Sequence, residues 1–267
     1  MLFQRFVCSG NAFASTYLKR MKSSITSQYL ELKSGRRIFV DYIAGVGDRT
    51  NPCVVYVPGF LSHRLSEKGQ RLLDYCSKAG HEFVRYDPEG FGKSEFSSPE
   101  KWKNIEFRHW FEDCEAAMGM SPNKKFILVG SSMGGWISLL IQQKYAERIA
   151  GMVLIAPAQN FISRMVAEGN TMIRDPLITQ FVDIQSFAEK SKELSVSLQP
   201  DSNEINIPVR IVHGMKDDVI PSGSSLELIR SIRGDDIELT LIKTGDHQLH
   251  HWMSMITGHI EALIKRK

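Results

Sequence analysis

The sequence predicts an α/β protein with a mostly parallel central sheet flanked by helices, and three observations carry that expectation. Short runs rich in β-branched and aromatic residues alternate with longer amphipathic segments, the order in which strands and crossover helices build a parallel sheet. Runs such as CVVYV, KFILV and MVLIA are nearly continuous in apolar residues, as strands covered by helices on both faces are. The 267 residues, 42% hydrophobic and 24% charged, are divided by no linker-like Pro/Gly/Ser tract or charge block, so a single domain with one large core is expected.

The leader comes first along the chain. The first thirty residues carry Arg5, Lys19, Arg20 and Lys22, several Ser and Thr, and no acidic residue before Glu31. Gln4, Arg5, Ser9 and Asn11 interrupt any apolar stretch that a secretory signal would need. Residues 1–24 therefore read as a mitochondrial transit peptide, with a plain disordered N-terminus as the alternative, and 25–267 as the folded domain. Strands are expected at Arg37–Ile43, Cys53–Val57, Glu82–Tyr86, Lys125–Val129, Met152–Ile155, Val209–Val212 and Ile237–Ile242. Helices are expected at Ser66–Ala79, Glu106–Met118, Gly134–Tyr145, Ser222–Ile232 and His251–Ile264. Residues 157–207 break the rhythm: helical fragments around Phe161–Gly169 and Asp183–Leu194 occur there without a convincing strand. An insertion at this point suits a lid over the sheet edge, the alternative being an excursion with no gating role.

Several function classes are excluded. The net charge of +3 is small and its excess sits at the two ends, so no basic face is available for nucleic acid. No run approaches the roughly eighteen apolar residues that a transmembrane helix requires. Cys8, Cys53, Cys76 and Cys114 are scattered without a C-x-x-C pair, which reads as reduced thiols. In YDPEGFGKSE the segment EGFGKS lacks the phosphate-loop spacing and the helix that should follow, so Asp87, Gly90 and Gly92 read as architectural. No cofactor is expected.

The chemistry starts at Gly130-Ser131-Ser132-Met133-Gly134, a G-x-S-x-G match between the strand KFILV and the helix WISLLIQQKYA. A serine hydroxyl needs exposure and a neighbouring base to act as a nucleophile, and a sharp strand-to-helix turn provides the exposure. Ser132 is the expected nucleophile; Ser131 lies one place off the pattern and reads as turn support. Enzymes with this elbow, the α/β-hydrolases, supply an acid and then a histidine downstream, and both residue types follow here. PVRIVHGMKDDVIP is a strand and an acid-bearing loop, and GDHQLH follows the strand IELTLI. His247 is the expected general base, with His250 and His251 as helix residues near the site at most. A metal cluster of Asp246, His247 and His250 is a weaker alternative, since no second ligand group accompanies it. Asp217 and Asp218 both qualify as the acid, and Asp217 is preferred because its spacing from His213-Gly214 and to Ile220-Pro221 is the usual one in such hydrolases. Backbone amides of Met133, after the nucleophile, and Phe60, in the loop VPGFLS, are the expected oxyanion donors.

The segments VPGFLS, RYDPEGFGKSE, LVGSSMGGW and HGMKDDVIP resemble those of mitochondrial α/β-hydrolase domain-containing enzymes, the palmitoyl-protein thioesterases and mycophenolic acid acyl-glucuronide esterases. The resemblance runs through most of the chain beyond the leader and is weakest between Pro157 and Ile207. It implies the α/β-hydrolase fold, cofactor-free hydrolysis of S-acyl-cysteine thioesters and acyl-glucuronide esters, a mitochondrial location, and a triad on Ser132, Asp217 and His247. Acylated small molecules and S-palmitoylated proteins are the implied partners. A carboxylesterase, a lipase, a carbon–carbon bond hydrolase and a non-catalytic binding protein of the same fold are the alternatives. Phe161, Met165, Met172, Ile173 and Phe181 are candidates for an acyl channel, with ordinary packing as the plainer role.

Overall fold

The computed structural model describes residues 24–167 and 182–266. Its strands are β1 (Ile25–Glu31), β2 (Arg37–Ile43), β3 (Cys53–Val57), β4 (Phe83–Asp87), β5 (Phe126–Ser131), β6 (Ile149–Ile155), β7 (Asn203–Glu204), β8 (Val209–Gly214), β9 (Ile232–Arg233) and β10 (Ile237–Ile242). The helices are α1 (Glu67–Ala79), α2 (Phe107–Met118), α3 (Met133–Lys144), α4 (Phe161–Ala167), α5 (Ile184–Ser191), α6 (Gly223–Ser231) and α7 (Met253–Ile264). Residues 1–23, most of the expected leader, lie outside the described residues, as do 168–181 of the insertion.

Eight of these strands form one sheet in the order β1-β2-β4-β3-β5-β6-β8-β10. The two β1–β2 and β2–β4 pairings are antiparallel and the remaining ones parallel. The near-continuous apolar runs occupy the buried centre, and the two-residue side-chain period divides them between the faces. Val55, Leu128 and Leu154 pack with Trp110 of α2 and Trp136 of α3. Val54, Ile127 and Val153 pack on the other side with Leu72 of α1 and Ile260 of α7. Each large side chain so buried contributes roughly 1.5–3 kcal/mol.

Three strands depart from the expectation. β1 precedes the first expected strand as an exposed antiparallel edge, and its polar sequence ITSQYLE gives little apolar signal. Within the stretch expected to lack strands, β7 pairs in parallel with β9, just where the expected helix Ser222–Ile232 gives way to strand. The last helix is entered through a 3-10 turn at His250–Trp252.

Helix α1 begins where Ser66 accepts a hydrogen bond from the Gly69 amide and ends on Gly80 in the left-handed region at φ 78°. It is tied to α7 through Glu261, which accepts from the Tyr75 hydroxyl at 2.5 Å and from His81 Nε2 at 2.9 Å. Those two hydrogen bonds, the Tyr75 one foremost, outweigh burial and hold the carboxyl down at about 2. A carboxylate depressed in the folded state adds stability that is present above its ordinary pKa and lost as pH falls through the folded value. Glu261→Gln is therefore expected to lower Tm at pH 7, with the difference from the parent shrinking between about pH 4.5 and 2. Thermal melts across that range check it, and a difference that grew in acid would refute it.

Parallel pairing aligns the C-terminal strand ends. Val57 pairs with Gly130, Ser131 with Ile155, and Gly214 with Ile242. The loops after β3, β5, β8 and β10 thus leave the same sheet edge, where open α/β sheets bind their ligands.

Candidate active site

Ser132 stands between β5 and α3 with φ 55° and ψ −120°, a left-handed conformation that costs a non-glycine residue on the order of 1–3 kcal/mol. Its neighbours hold it there. Its amide donates to the Ile155 carbonyl at 2.9 Å, and its own carbonyl accepts from Gly135 at 2.9 Å and Ala158 at 3.0 Å. Closeness to β3 explains the glycines: a Cβ on Gly134 would lie 2.0 Å from the Val57 carbonyl oxygen, and one on Gly59 would lie 3.1 Å from the Ser132 Cβ. The loop carrying Phe60 is thereby pressed against the serine turn. Met133 opens α3, so its amide has no acceptor within the helix and is available to an anion.

One cavity at this sheet edge is lined by Gly59, Phe60, Ser132, Phe161, Ile220 and His247, together with residues of α1 and of the loop after β10. Phe60 also packs its ring edge-on to Trp110 at 5.5 Å and against Phe161 at 5.7 Å. His247 Nδ1 donates to Asp217 Oδ2 at 2.7 Å, which leaves Nε2 as the basic nitrogen. The Asp217 side chain is fully buried, whereas Asp218 is exposed. Burial alone pushes the Asp217 carboxyl up; hydrogen bonds from His213 and His247, the nearby His247 charge and the Ile220 amide outweigh it and hold the group far below the ordinary carboxylate range. Amides of Val219 and Ile220 donate to its other oxygen at 2.9 and 2.8 Å. Of the two candidate acids, Asp217 is the one the structure brings to His247.

His213 also belongs to this constellation. It is fully buried at the end of β8, its Nε2 donates to Asp217 Oδ2 at 3.1 Å and to the Ile220 carbonyl at 3.0 Å, and Nδ1 meets the Ser225 hydroxyl at 2.7 Å. Lys68 and Gln248, also unanticipated, line the cavity and are bonded to each other at 2.8 Å. A histidine closing the apolar run VRIVHG was a readable signal for the first. A lysine in an amphipathic helix gave none for the second.

The other expected features are placed as follows. Ser131 is buried as the last residue of β5. His250 lines the cavity but turns Nδ1 to Glu67 at 2.7 Å, Asp246 accepts from the Leu249 amide at 2.8 Å, and His251 is exposed. Among the described residues no group of three or more His, Cys, Asp or Glu side chains is arranged to hold a metal ion. Asp87 is buried and accepts from the Arg64 and Lys93 amides at 2.9 and 2.8 Å while pairing with the Arg64 guanidinium. Arg64 also reaches Asp41 at 3.2 Å, so the loop after β3 is anchored by buried, hydrogen-bonded charges. Of the acyl-channel candidates, Phe161 lines the cavity; Met172, Ile173 and Phe181 lie outside the described residues, as does the Met165 side chain. The described part of the insertion is fastened to the body, with Trp136 Nε1 donating to the Leu194 carbonyl at 2.9 Å and Asn160 exchanging two hydrogen bonds with Val196 at 2.7 and 2.9 Å.

The protein-family model described as "Serine aminopeptidase, S33" matches residues 48–165 and 158–251. The rat protein named "Palmitoyl-protein thioesterase ABHD10, mitochondrial" is 26% identical over 226 residues, covering 74% of this chain and 70% of its own. The mouse protein of the same name is 27% identical over 212 residues, covering 74% and 69%. Among solved structures, a putative hydrolase from Agrobacterium vitis superposes with a TM-score of 0.77 at 25% identity, covering 91% of this chain and 100% of that one. Mouse alpha/beta hydrolase domain-containing protein 10 gives a TM-score of 0.74 at 24% identity, covering 89% and 99%.

Proposed function

The chain belongs to the serine aminopeptidase S33 family and is a serine hydrolase of the α/β fold, and from that premise we propose that Ser132, His247 and Asp217 form its catalytic triad and hydrolyse acyl esters and thioesters. The 2.7 Å hydrogen bond between His247 and Asp217, beside the cavity that Ser132 lines, carries this reading. Asp217 fixes the tautomer and stabilises the imidazolium. His247 Nε2 takes the Ser132 proton as the oxygen adds to the substrate carbonyl, and the resulting oxyanion is held by the Met133 and Phe60 amides. Collapse transfers the acyl group to Ser132 while His247 gives the proton to the leaving oxygen or sulfur. Water, deprotonated by the same imidazole, then releases the acid and restores the serine.

The finer proposal is protein S-depalmitoylation together with acyl-glucuronide hydrolysis. Its support is the resemblance of the sequence motifs and the thioesterase name of the rat and mouse relatives. The apolar walls at Phe60, Leu61, Phe161, Val219 and Ile220 suit an acyl chain. A mitochondrial location is proposed with it, supported by the leader composition and by the relatives' names.

The test is a panel of acyl donors offered to the full chain: an S-palmitoyl-cysteine peptide, an acyl glucuronide, p-nitrophenyl esters and an amino-acid p-nitroanilide. Thioester turnover with kcat/KM of about 10^4 M⁻¹s⁻¹ or more is expected, with the anilide far slower. Rapid p-nitrophenyl ester turnover without thioester or glucuronide turnover would give the site to a carboxylesterase or lipase. A chain inert to all of them would be a binding protein of this fold.

A further inference from the structure

The cavity that holds Ser132 and His247 contains a cation the hydrolytic cycle does not use. Lys68, in the first turn of α1, is only 5% exposed and lines the cavity wall. Its Nζ donates to Gln248 Oε1 at 2.8 Å, a bond that joins two residues 180 positions apart. Arg71, on the same helix, follows the ordinary pattern instead, half exposed and paired with Glu67 at 2.7 Å.

The carboxylates around Lys68 are turned elsewhere. Asp246, Glu67 and Asp217 act on it through space, yet Asp246 is bonded to the Leu249 amide, Glu67 to Arg71 and His250, and Asp217 to His213 and His247. The acceptor that Lys68 bonds is thus a neutral amide, and an ammonium has three protons to give. Burial lowers its pKa to about 8, so it is charged at neutral pH with its hydration largely removed. A desolvated cation without a bonded counter-charge gains most when an anion completes it.

We propose that Lys68 forms an anion-binding subsite of the active-site cavity, which selects esters or thioesters whose leaving group carries a carboxylate. The proposal rests on the hydrolytic role given to Ser132 and His247. The side is set by chemistry: the imidazole must protonate the departing atom, and Gln248, the residue bonded to Lys68, directly follows His247. The hydrogen-bond partner of the ammonium is thus the chain neighbour of the imidazole that serves the leaving group, while Phe60, Leu61 and Phe161 of the same cavity supply apolar wall for the acyl chain.

Two thioesters of one fatty acid test this, one with 3-mercaptopropionate and one with its methyl ester, which differ in the charge of the leaving group and by one methyl group. The full chain should favour the anionic thioester by about tenfold or more in kcat/KM, as a charge-assisted hydrogen bond in a desolvated site allows. Lys68→Met should bring that ratio close to one, and Lys68→Arg should keep it. A parent ratio near one, or an unchanged ratio in Lys68→Met, overturns the subsite, and the parent measurement decides even if the Met variant does not fold. Binding separates this from the hydrolytic role: in Ser132→Ala the anionic thioester should raise Tm more than the methyl ester does at equal concentration. Preferential binding with no turnover by the parent would sink the triad alone; equal Tm shifts would sink the subsite.

Discussion

Ser132→Ala is expected to lower kcat on a thioester or p-nitrophenyl ester by about 10^4 to 10^6-fold, because no covalent acyl intermediate can form and the remaining groups act only by binding and by holding the oxyanion. The fold should survive. The serine turn is held by backbone hydrogen bonds to Ile155, Gly135 and Ala158, and the hydroxyl itself makes none of them. A Tm within a few degrees of the parent, measured beside the kinetics, separates lost chemistry from lost structure. Residual activity above about one per cent of the parent would remove Ser132 from the role of nucleophile.

The second large effect is expected at Asp217. Asp217→Asn keeps the shape but places an amide where His247 Nδ1 and His213 Nε2 both present N–H groups to a carboxylate. An asparagine NH2 turned to His247 drives the imidazole into the tautomer with its proton on Nε2, which cannot accept the serine proton. A loss in kcat of about 10^4-fold is expected. Stability should fall as well, by about 1–3 kcal/mol, since buried donors lose a charged acceptor. The exposed neighbour provides the control, and Asp218→Asn should stay within about threefold of the parent. Comparable losses at the two positions would show that neither the hydrogen bond nor the burial distinguishes them. The carboxylate itself sets no acid limb in the usual assay range, because its pKa lies far below that range. Its stabilising contribution is present above the ordinary aspartate value and is lost as pH falls through the depressed one.

Much of this was legible in the sequence because the informative signals are local. The run CVVYV became β3 with its bounds unchanged, since continuous apolar residues have one economical place, the middle of a helix-covered sheet. β1 was not legible: ITSQYLE is an exposed edge strand whose formation depends on pairing with β2. β7 and β9 escaped for a related reason, being two-residue strands that exist only as a pair. The elbow around Ser132 could be read from its glycines, because the crowding they relieve lies within a few residues and one neighbouring strand. The preference between Asp217 and Asp218 rested on family spacing, whereas the geometry rests on a hydrogen bond across thirty residues. Lys68 lay beyond any periodicity argument. Its bond to Gln248 joins α1 to the loop after β10, a contact that the amphipathic pattern of α1 does not encode.

The central claim, that Ser132 is an activated nucleophile beside His247 and Asp217, is tested most directly by reaction with a fluorophosphonate, followed by mass mapping of the adduct. One adduct per chain is predicted, on the peptide containing Ser132, formed by the parent and absent from Ser132→Ala. Failure of the folded parent to react, or equal labelling of Ser132→Ala, would contradict it.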